Sequence, residues 1–242
     1  MFEAYTNFDN KLDVMQKPNI HQLDQLFRTY CTKKWRSVAV ENTTTLTFKK
    51  GETIFKEGQR MESMYMVDKG HVKIYSNYTK DIEVVIRFAG DGQTLGHRGL
   101  GEDRVFPVSA EAMTETSVNI IPLNVFEDLL KNNNEFCFYF MLFMANELKR
   151  SEGQRRDFMN MTVLQRVAKA IRNNVESFGY SKDEPNLLSY TISRRDISSF
   201  ANTTYESTVR SLSDLQTEGI ISIEGKKLRI LDIDKLCSIT KC

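Results

Sequence analysis

Proline and glycine are scarce, four and twelve in 242 residues, so there is little room for a low-complexity linker and the chain is expected to fold throughout. Long apolar runs are lacking too. The longest, Phe136 to Ala145 (FCFYFMLFMA), falls well short of the ~20 residues that cross a bilayer. The N-terminus MFEAYTNFDN has no basic region followed by an apolar stretch, so neither a membrane span nor a secretory signal is expected. Cys31, Cys137, Cys237 and Cys242 form no C-x-x-C or other metal-site spacing. They read as reduced thiols of a cytoplasmic protein, although an even count leaves secretion with disulfides formally open. An excess of one charge is also missing: Lys+Arg 33 against Asp+Glu 32 gives a formal net charge of +1, so nucleic-acid binding has to arise from a local arrangement. Histidine is rare, three in all, and His71 and His97 stand on separate segments, which disfavours a cupin-like metal site. With no nucleophile–base arrangement and no phosphate-cradling glycine loop, an enzyme is not expected.

What is present falls into three stretches. Ile20, Leu23, Leu26, Phe27 and Tyr30 have helical spacing and predict one packing helix over about 20–36. From Thr45 to Pro122 short β-prone runs (LTFKKG, TIFKEG, MYMVDKG, HVKIYSN, IEVVIRFAGDG, SVNIIP) are separated by glycine-bearing turns, the texture of a sandwich or barrel. Asn124 with Glu127 resembles a capping box that opens a helix over VFEDLLK.

A much longer helix is expected from about Asn134 to Met161. Cys137, Met141, Met144, Leu148 and Ser151 step by four and three, a coiled-coil seam. Phe136, Phe138, Phe140 and Phe143 make its first half apolar on other faces as well, so it should pack against the β domain and a second copy of itself. Burial inside one domain is the competing reading. A further helix spans about Thr162 to Phe178 and ends at Gly179; the polar stretch 181–186 is a loop. The expected division is 1–133 for the N-terminal helix and β domain, 134–160 for the long helix, and 161–242 for a second compact domain.

Ser193 with Asp196 reads as a capping box, stapled by Ile192 and Ile197, for a short helix from Arg194 to about Ala201. Thr203 with Glu206 reads as a second box, for a helix to about Gln216 with Val209, Leu212 and Leu215 facing inward. Two such helices joined by a tight turn form a helix-turn-helix. Glu206 and Arg210 lie one turn apart on the outer face, flanked by Thr204, Tyr205 and Ser207. A guanidinium can bond guanine O6 and N7, and a carboxylate can accept from cytosine N4. The competing reading is a solvated i,i+4 ion pair with Glu206 occupied as a cap. Residues 220–230 read as a β-hairpin wing with Lys226 and Lys227 at its turn, placed for phosphates, and favour DNA. The alternative is a ligand-binding or structural β-roll whose helix-turn-helix contacts protein.

Over about Leu46 to Leu231 the chain resembles the cyclic AMP receptor protein/FNR (Crp/Fnr) family of bacterial transcription regulators. KKGETIFKEGQRMESMYMVDKGHVKIY is similar to the family's glycine-punctuated β-roll, and ISRRDISSFANTTYESTVRSLSDLQTEGII to its recognition motif, whose Glu-x-x-x-Arg element falls on Glu206 and Arg210. The resemblance implies an α+β fold: a cyclic-nucleotide-binding-like β-roll, a long dimerisation helix with Met141, Met144 and Leu148 at the contact, and a C-terminal winged helix-turn-helix. It also implies palindromic double-stranded DNA, a homodimer and RNA polymerase as partners, no membrane, and a half-site with a TGA-like core. Tyr205 replaces an arginine that some members use for an additional guanine. The cassette departs from the family. Gly96 matches, but His97 replaces the ribose-binding glutamate, and Phe106 and Pro107 stand where an Arg-Ser pair would hold a cyclic phosphate. Arg98 and Arg104 are off the family's spacing. Cyclic AMP is therefore not expected to act in the usual way. With only Cys31 near the N-terminus an iron–sulfur cluster is not expected, and haem ligation through His71, His97 or a methionine has weak support. No cofactor is expected, and an unidentified small-molecule effector is left open.

Overall fold

The computed structural model describes residues 23–79 and 82–240. Two helices open it, α1 (Leu23–Tyr30) and α2 (Lys33–Glu41), where one helix was expected; Ile20 lies outside the described residues. The break is at Thr32, whose backbone N–H and hydroxyl both donate to Asn133 Oδ1, at 3.3 and 3.1 Å. An extended Thr32 thus serves a buried amide that an unbroken helix would leave without these donors. Leu23, Leu26 and Phe27 face the core.

Eight strands follow: β1 (Thr44–Phe48), β2 (Thr53–Phe55), β3 (Ser63–Lys69), β4 (Val72–Thr79), β5 (Ile82–Ala89), β6 (Thr94–Leu95), β7 (Ser109–Ala112) and β8 (Thr116–Pro122). They form two four-stranded sheets, in the orders β1-β8-β3-β6 and β2-β7-β4-β5. The short β-prone runs of the sequence anticipate all but β6 and β7, which are too short to show a period. Gly70 (φ 122°) closes the β3–β4 turn, and a Cβ there would lie 2.5 Å from Thr116 Oγ1 and 2.8 Å from its Cα; only glycine fits that approach. Val67, Val72, Phe88, Leu95, Ala110 and Val118 are fully buried between the sheets and helices.

Helix α3 (Leu123–Asn132) leads into α4 (Asn134–Asn160). Asn124 does not cap α3: Pro122 stands at the N-cap with no side-chain bond, and Glu127 instead pairs with Arg104 at 2.6 Å. On α4 the buried residues Phe136, Phe140, Phe143 and Glu147 recur at four, three and four, so one face lies on the roll. Phe136 packs on Phe27 at 4.8 Å and Phe140 on Phe126 at 5.3 Å. Cys137, Phe138, Met141 and Leu148 are exposed on the single chain, and Met144 is half-buried.

Met161, in extended conformation, ends α4. Thr162 then opens α5 (Val163–Phe178) with a complete capping box to Gln165. Helices α6 (Arg194–Phe200) and α7 (Tyr205–Thr217), strands β9 (Ile221–Glu224) and β10 (Lys227–Ile230), and a helix the sequence reading did not separate, α8 (Ile233–Ile239), complete the described residues. Their core contains Val167, Ile171, Ile197, Phe200, Leu212, Leu215 and Leu228, and also Val85, Phe88 and Met113 of the roll. The hydrophobic contacts therefore cross the boundary expected near Asn160.

Candidate nucleic-acid interface

Ser193 caps α6, its Oγ accepting from the Asp196 N–H at 3.1 Å, and Ile192 and Ile197 are buried around it. The turn to α7 passes through Asn202 at φ 46°, a left-handed position that asparagine tolerates. Arg166 of α5 holds that turn: its Nε donates to Ala201 O at 2.7 Å and Nη2 to Asn202 O at 3.4 Å.

The cap of α7 is one residue later than expected. Thr204, not Thr203, is the N-cap, with Oγ1 accepting from the Ser207 N–H at 3.1 Å. Because the cap is thereby closed by Ser207, Glu206 is not used as its partner. Glu206 and Arg210 are both exposed, and among the described residues neither makes a hydrogen bond or ion pair. The two occupations that competed with base contact, capping and an i,i+4 bridge, are both absent. Val209 also departs from expectation: it is exposed, while Thr208, Ser211, Leu212 and Leu215 are buried. The outer face of α7 thus presents Tyr205, Glu206, Val209 and Arg210 together. An exposed valine one residue before Arg210 offers an apolar surface to a thymine methyl. The 3.6-residue phase from Leu212 and Leu215, anchored on the true cap, would have placed it there.

Beside this face a groove of about 530 Å³ runs between α7 and the wing, with Arg194, Val209, Ser213, Gln216, Ile223 and Gly225 on its walls. Arg194 and Arg195, at the start of α6, are exposed cations that the motif reading passed over. In the wing the two lysines differ. Lys226 is exposed at the turn, whereas Lys227 Nζ lies 3.1 Å from Glu184 Oε1, and Arg229 Nη2 lies 2.6 Å from Glu184 Oε2. The hydrogen bonds from Lys227 and Arg229 hold the Glu184 carboxyl below its ordinary value. Loop 181–186 is pinned to the wing in this way.

The cassette residues are brought together, but around the chain's own side chains. Gly96 (φ 77°) leads into a 3-10 turn, His97–Gly99. Phe106, 1% exposed, stacks on Phe55 at 4.2 Å and meets Tyr65 edge-on at 6.0 Å. A Cβ on Gly96 would lie 2.8 Å from the Phe106 ring. Pro107 points outward and is exposed. Neither arginine near the cassette is a free cation: Arg98 Nη2 is 3.5 Å from Glu147, and Arg104 is paired with Glu127.

His97 is 2% exposed and Glu147 4% exposed, with Nε2 and Oε2 3.2 Å apart. Burial pushes the imidazole down to about 4, against the opposing pull of Glu147. It is therefore neutral at pH 7, with Nε2–H donating to the carboxylate. Burial alone would raise the Glu147 carboxyl; the His97 bond and the charges of Arg87 and Arg150 outweigh it and hold it well below the usual range. Arg87 is 7% exposed; burial lowers it to about 10, and it donates to Thr94 O. Among the described residues His97 Nδ1 and Thr94 Oγ1 have no hydrogen-bond partner. His71 lies far from this cluster in the fold, stacked on Tyr190 at 4.4 Å. Among the described residues no group of three His, Cys, Asp or Glu could hold a metal ion, and no helix is long and apolar enough to cross a membrane.

Comparison with known proteins agrees with both halves. The family model of the cyclic nucleotide-binding domain matches residues 45–133, and that of the Crp-like helix-turn-helix domain matches residues 165–239. The transcriptional activator protein anr of Pseudomonas aeruginosa is 28% identical over 194 residues, covering 79% of this chain and 78% of its own. The fumarate and nitrate reduction regulatory protein of Escherichia coli K12 is 26% identical over 221 residues, covering 91% and 83%. Among solved structures, FixK2 from Bradyrhizobium japonicum superposes with a TM-score of 0.73 at 23% identity, covering 81% of this chain and 96% of that one. A cyclic-nucleotide-binding-type roll, a long helix and a C-terminal helix-turn-helix with an exposed reading face are the parts of a DNA-binding transcription regulator. The chain belongs to the Crp/Fnr family.

Proposed function

We propose that this chain acts in the cytoplasm as a homodimer that reads a palindromic site in double-stranded DNA and meets RNA polymerase there, as its family resemblance implies. The observation that carries the reading is the pair Glu206 and Arg210, exposed and, among the described residues, unpartnered, on a capped helix beside a basic wing. Thr204 and Ser207 fix the start of the helix, Tyr205 and Val209 flank the pair, and Lys226 meets phosphate. Selection from random duplex DNA, followed by gel shift, tests it: a palindromic motif is expected, and recovery of no motif would favour protein contact by the helix-turn-helix.

The two wing lysines should separate. Lys226→Ala is expected to weaken binding to all sequences alike and to lower the salt slope by about one unit. Lys227→Ala should do so less, because its ammonium already sits on Glu184. Equal slopes in the two variants would remove the distinction.

The roll is proposed not to use cyclic AMP in the usual way. A cyclic phosphate withdrawn from water needs a charge-assisted partner. Phe106 supplies an aromatic ring already stacked on Phe55, and Pro107 lacks even a backbone N–H. Calorimetry with cyclic AMP and cyclic GMP should show millimolar affinity or none; micromolar binding that strengthens DNA affinity would overturn this assignment.

A further inference from the structure

Strand β5 carries two sets of contacts at once. Arg87, 7% exposed, reaches inward and donates to Thr94 O, three residues before His97, which with Arg98 and Arg150 surrounds Glu147. Glu147 belongs to the long helix and immediately precedes Leu148 of the expected dimer seam. A buried carboxylate is retained at such a place only when several donors face it, and here they are His97 and Arg98 of the cassette turn, which Arg87 of β5 braces through Thr94 O, and Arg150 of α4 itself.

The other edge of β5 is the open edge of its sheet, and α6 of the helix-turn-helix covers it. Ser199 Oγ donates to Glu83 O at 2.7 Å and accepts from the Val85 N–H at 3.0 Å. One hydroxyl thus satisfies two backbone groups that a free edge would expose. Phe88 stacks on Phe200 at 5.9 Å, and its carbonyl accepts from Ser177 Oγ at 3.2 Å. Lys73, 8% exposed, bonds Glu83 at 2.7 Å and lies 3.9 Å from Asp196 of α6.

We infer that β5 is a relay that fixes the reading head relative to the dimer helix through the chain's own side chains, so that site-specific DNA binding needs no small-molecule effector. The inference rests on the DNA-reading function proposed above. An effector acts by binding one arrangement better than another; here Glu147 already joins the cassette turn to the long helix, and Phe106, Phe55 and Tyr65 fill the roll beside it.

The test uses the full chain, freed of small molecules by unfolding, dialysis and refolding, and the palindrome recovered by selection. Full affinity is expected without additive, with no gain from the small-molecule fraction of a cell extract. S199A, which removes the hydroxyl shared by Glu83 and Val85, should lose about tenfold or more in affinity for the palindrome. S199T should restore most of it. R87M/E147L, which replaces the two buried charged side chains by apolar ones, should lose a similar factor while sedimenting as a dimer. Both should keep the wild-type affinity for random DNA at low salt, because the cations of the reading head are untouched. Binding by the wild type only after addition of extract would overturn the relay, as would wild-type affinity in S199A; the S199A/S199T pair decides even if R87M/E147L does not fold. A chain that selects no motif with or without extract loses the DNA-reading function itself.

Discussion

Replacing Met141 and Leu148 together by glutamate is expected to give a monomer whose affinity for the palindrome falls by roughly 10²–10⁴, the factor by which linking two half-site contacts exceeds one. Both side chains point away from their own chain, 55% and 61% exposed, and they lie two turns apart on α4. Isologous pairing sets one such stripe against itself, so each substitution puts like charges face to face. Met144, also assigned to the seam, is half-buried and packs against the roll's own core; a charge there would disturb the fold as well as the contact. The Met141 and Leu148 pair avoids that confusion. Sedimentation should show a monomer with an unchanged thermal transition, and an intact dimer would refute the seam. The spacing of two recognition helices by about 34 Å, one turn of DNA, depends on this contact.

The long helix was legible because two of its faces carry separate apolar repeats. Phe136, Phe140 and Phe143 repeat on one side and Cys137, Met141 and Leu148 on another, and each set keeps a helical period. Glu147 broke that pattern and drew no notice: a single acidic residue in a helix of this length reads as a solvated one. It is buried against His97 and Arg98, about fifty residues earlier, and no local period connects those positions. The same holds for Thr32, where a continuous apolar spacing predicted one helix and a tertiary bond to Asn133 makes two.

In the reading head the error was one residue. Thr203 and Thr204 are both competent caps, and Glu206 three after Thr203 made the earlier choice attractive. The observed cap at Thr204 leaves Glu206 without a capping partner, while Val209 is exposed because it lies to the side of the face formed by Thr208, Ser211, Leu212 and Leu215. Among the cassette residues Gly96 reads as a match to the family pattern, and His97, Phe106 and Pro107 as departures from it. What sequence could not supply was their company, since the stacking of Phe106 on Phe55 joins segments fifty residues apart.

Arg210→Ala should cost about 1–3 kcal/mol per half-site, the value of a bidentate guanidinium–guanine contact, and should relax specificity at one base pair. The loss enters twice in a symmetric dimer, so the full palindrome should show roughly double the single-site penalty if the two half-sites act independently. Arg210 makes no bond within the described chain, so its removal leaves no buried group unpaired, and stability should stay within about 0.5 kcal/mol of the original. That separates it from a structural arginine such as Arg166, which holds the turn at Ala201 and Asn202 and whose loss should lower stability and affinity together. Glu206→Ala should relax a second base pair, adjacent to the first, because the two side chains stand one helical turn apart on the same face. Repeating the random-DNA selection with each variant reads the answer directly: a motif that loses one conserved pair in each half-site is the expected result. An unchanged motif in Arg210→Ala would leave the salt bridges and wing cations as the whole of the binding, and with them a protein that holds DNA without reading it.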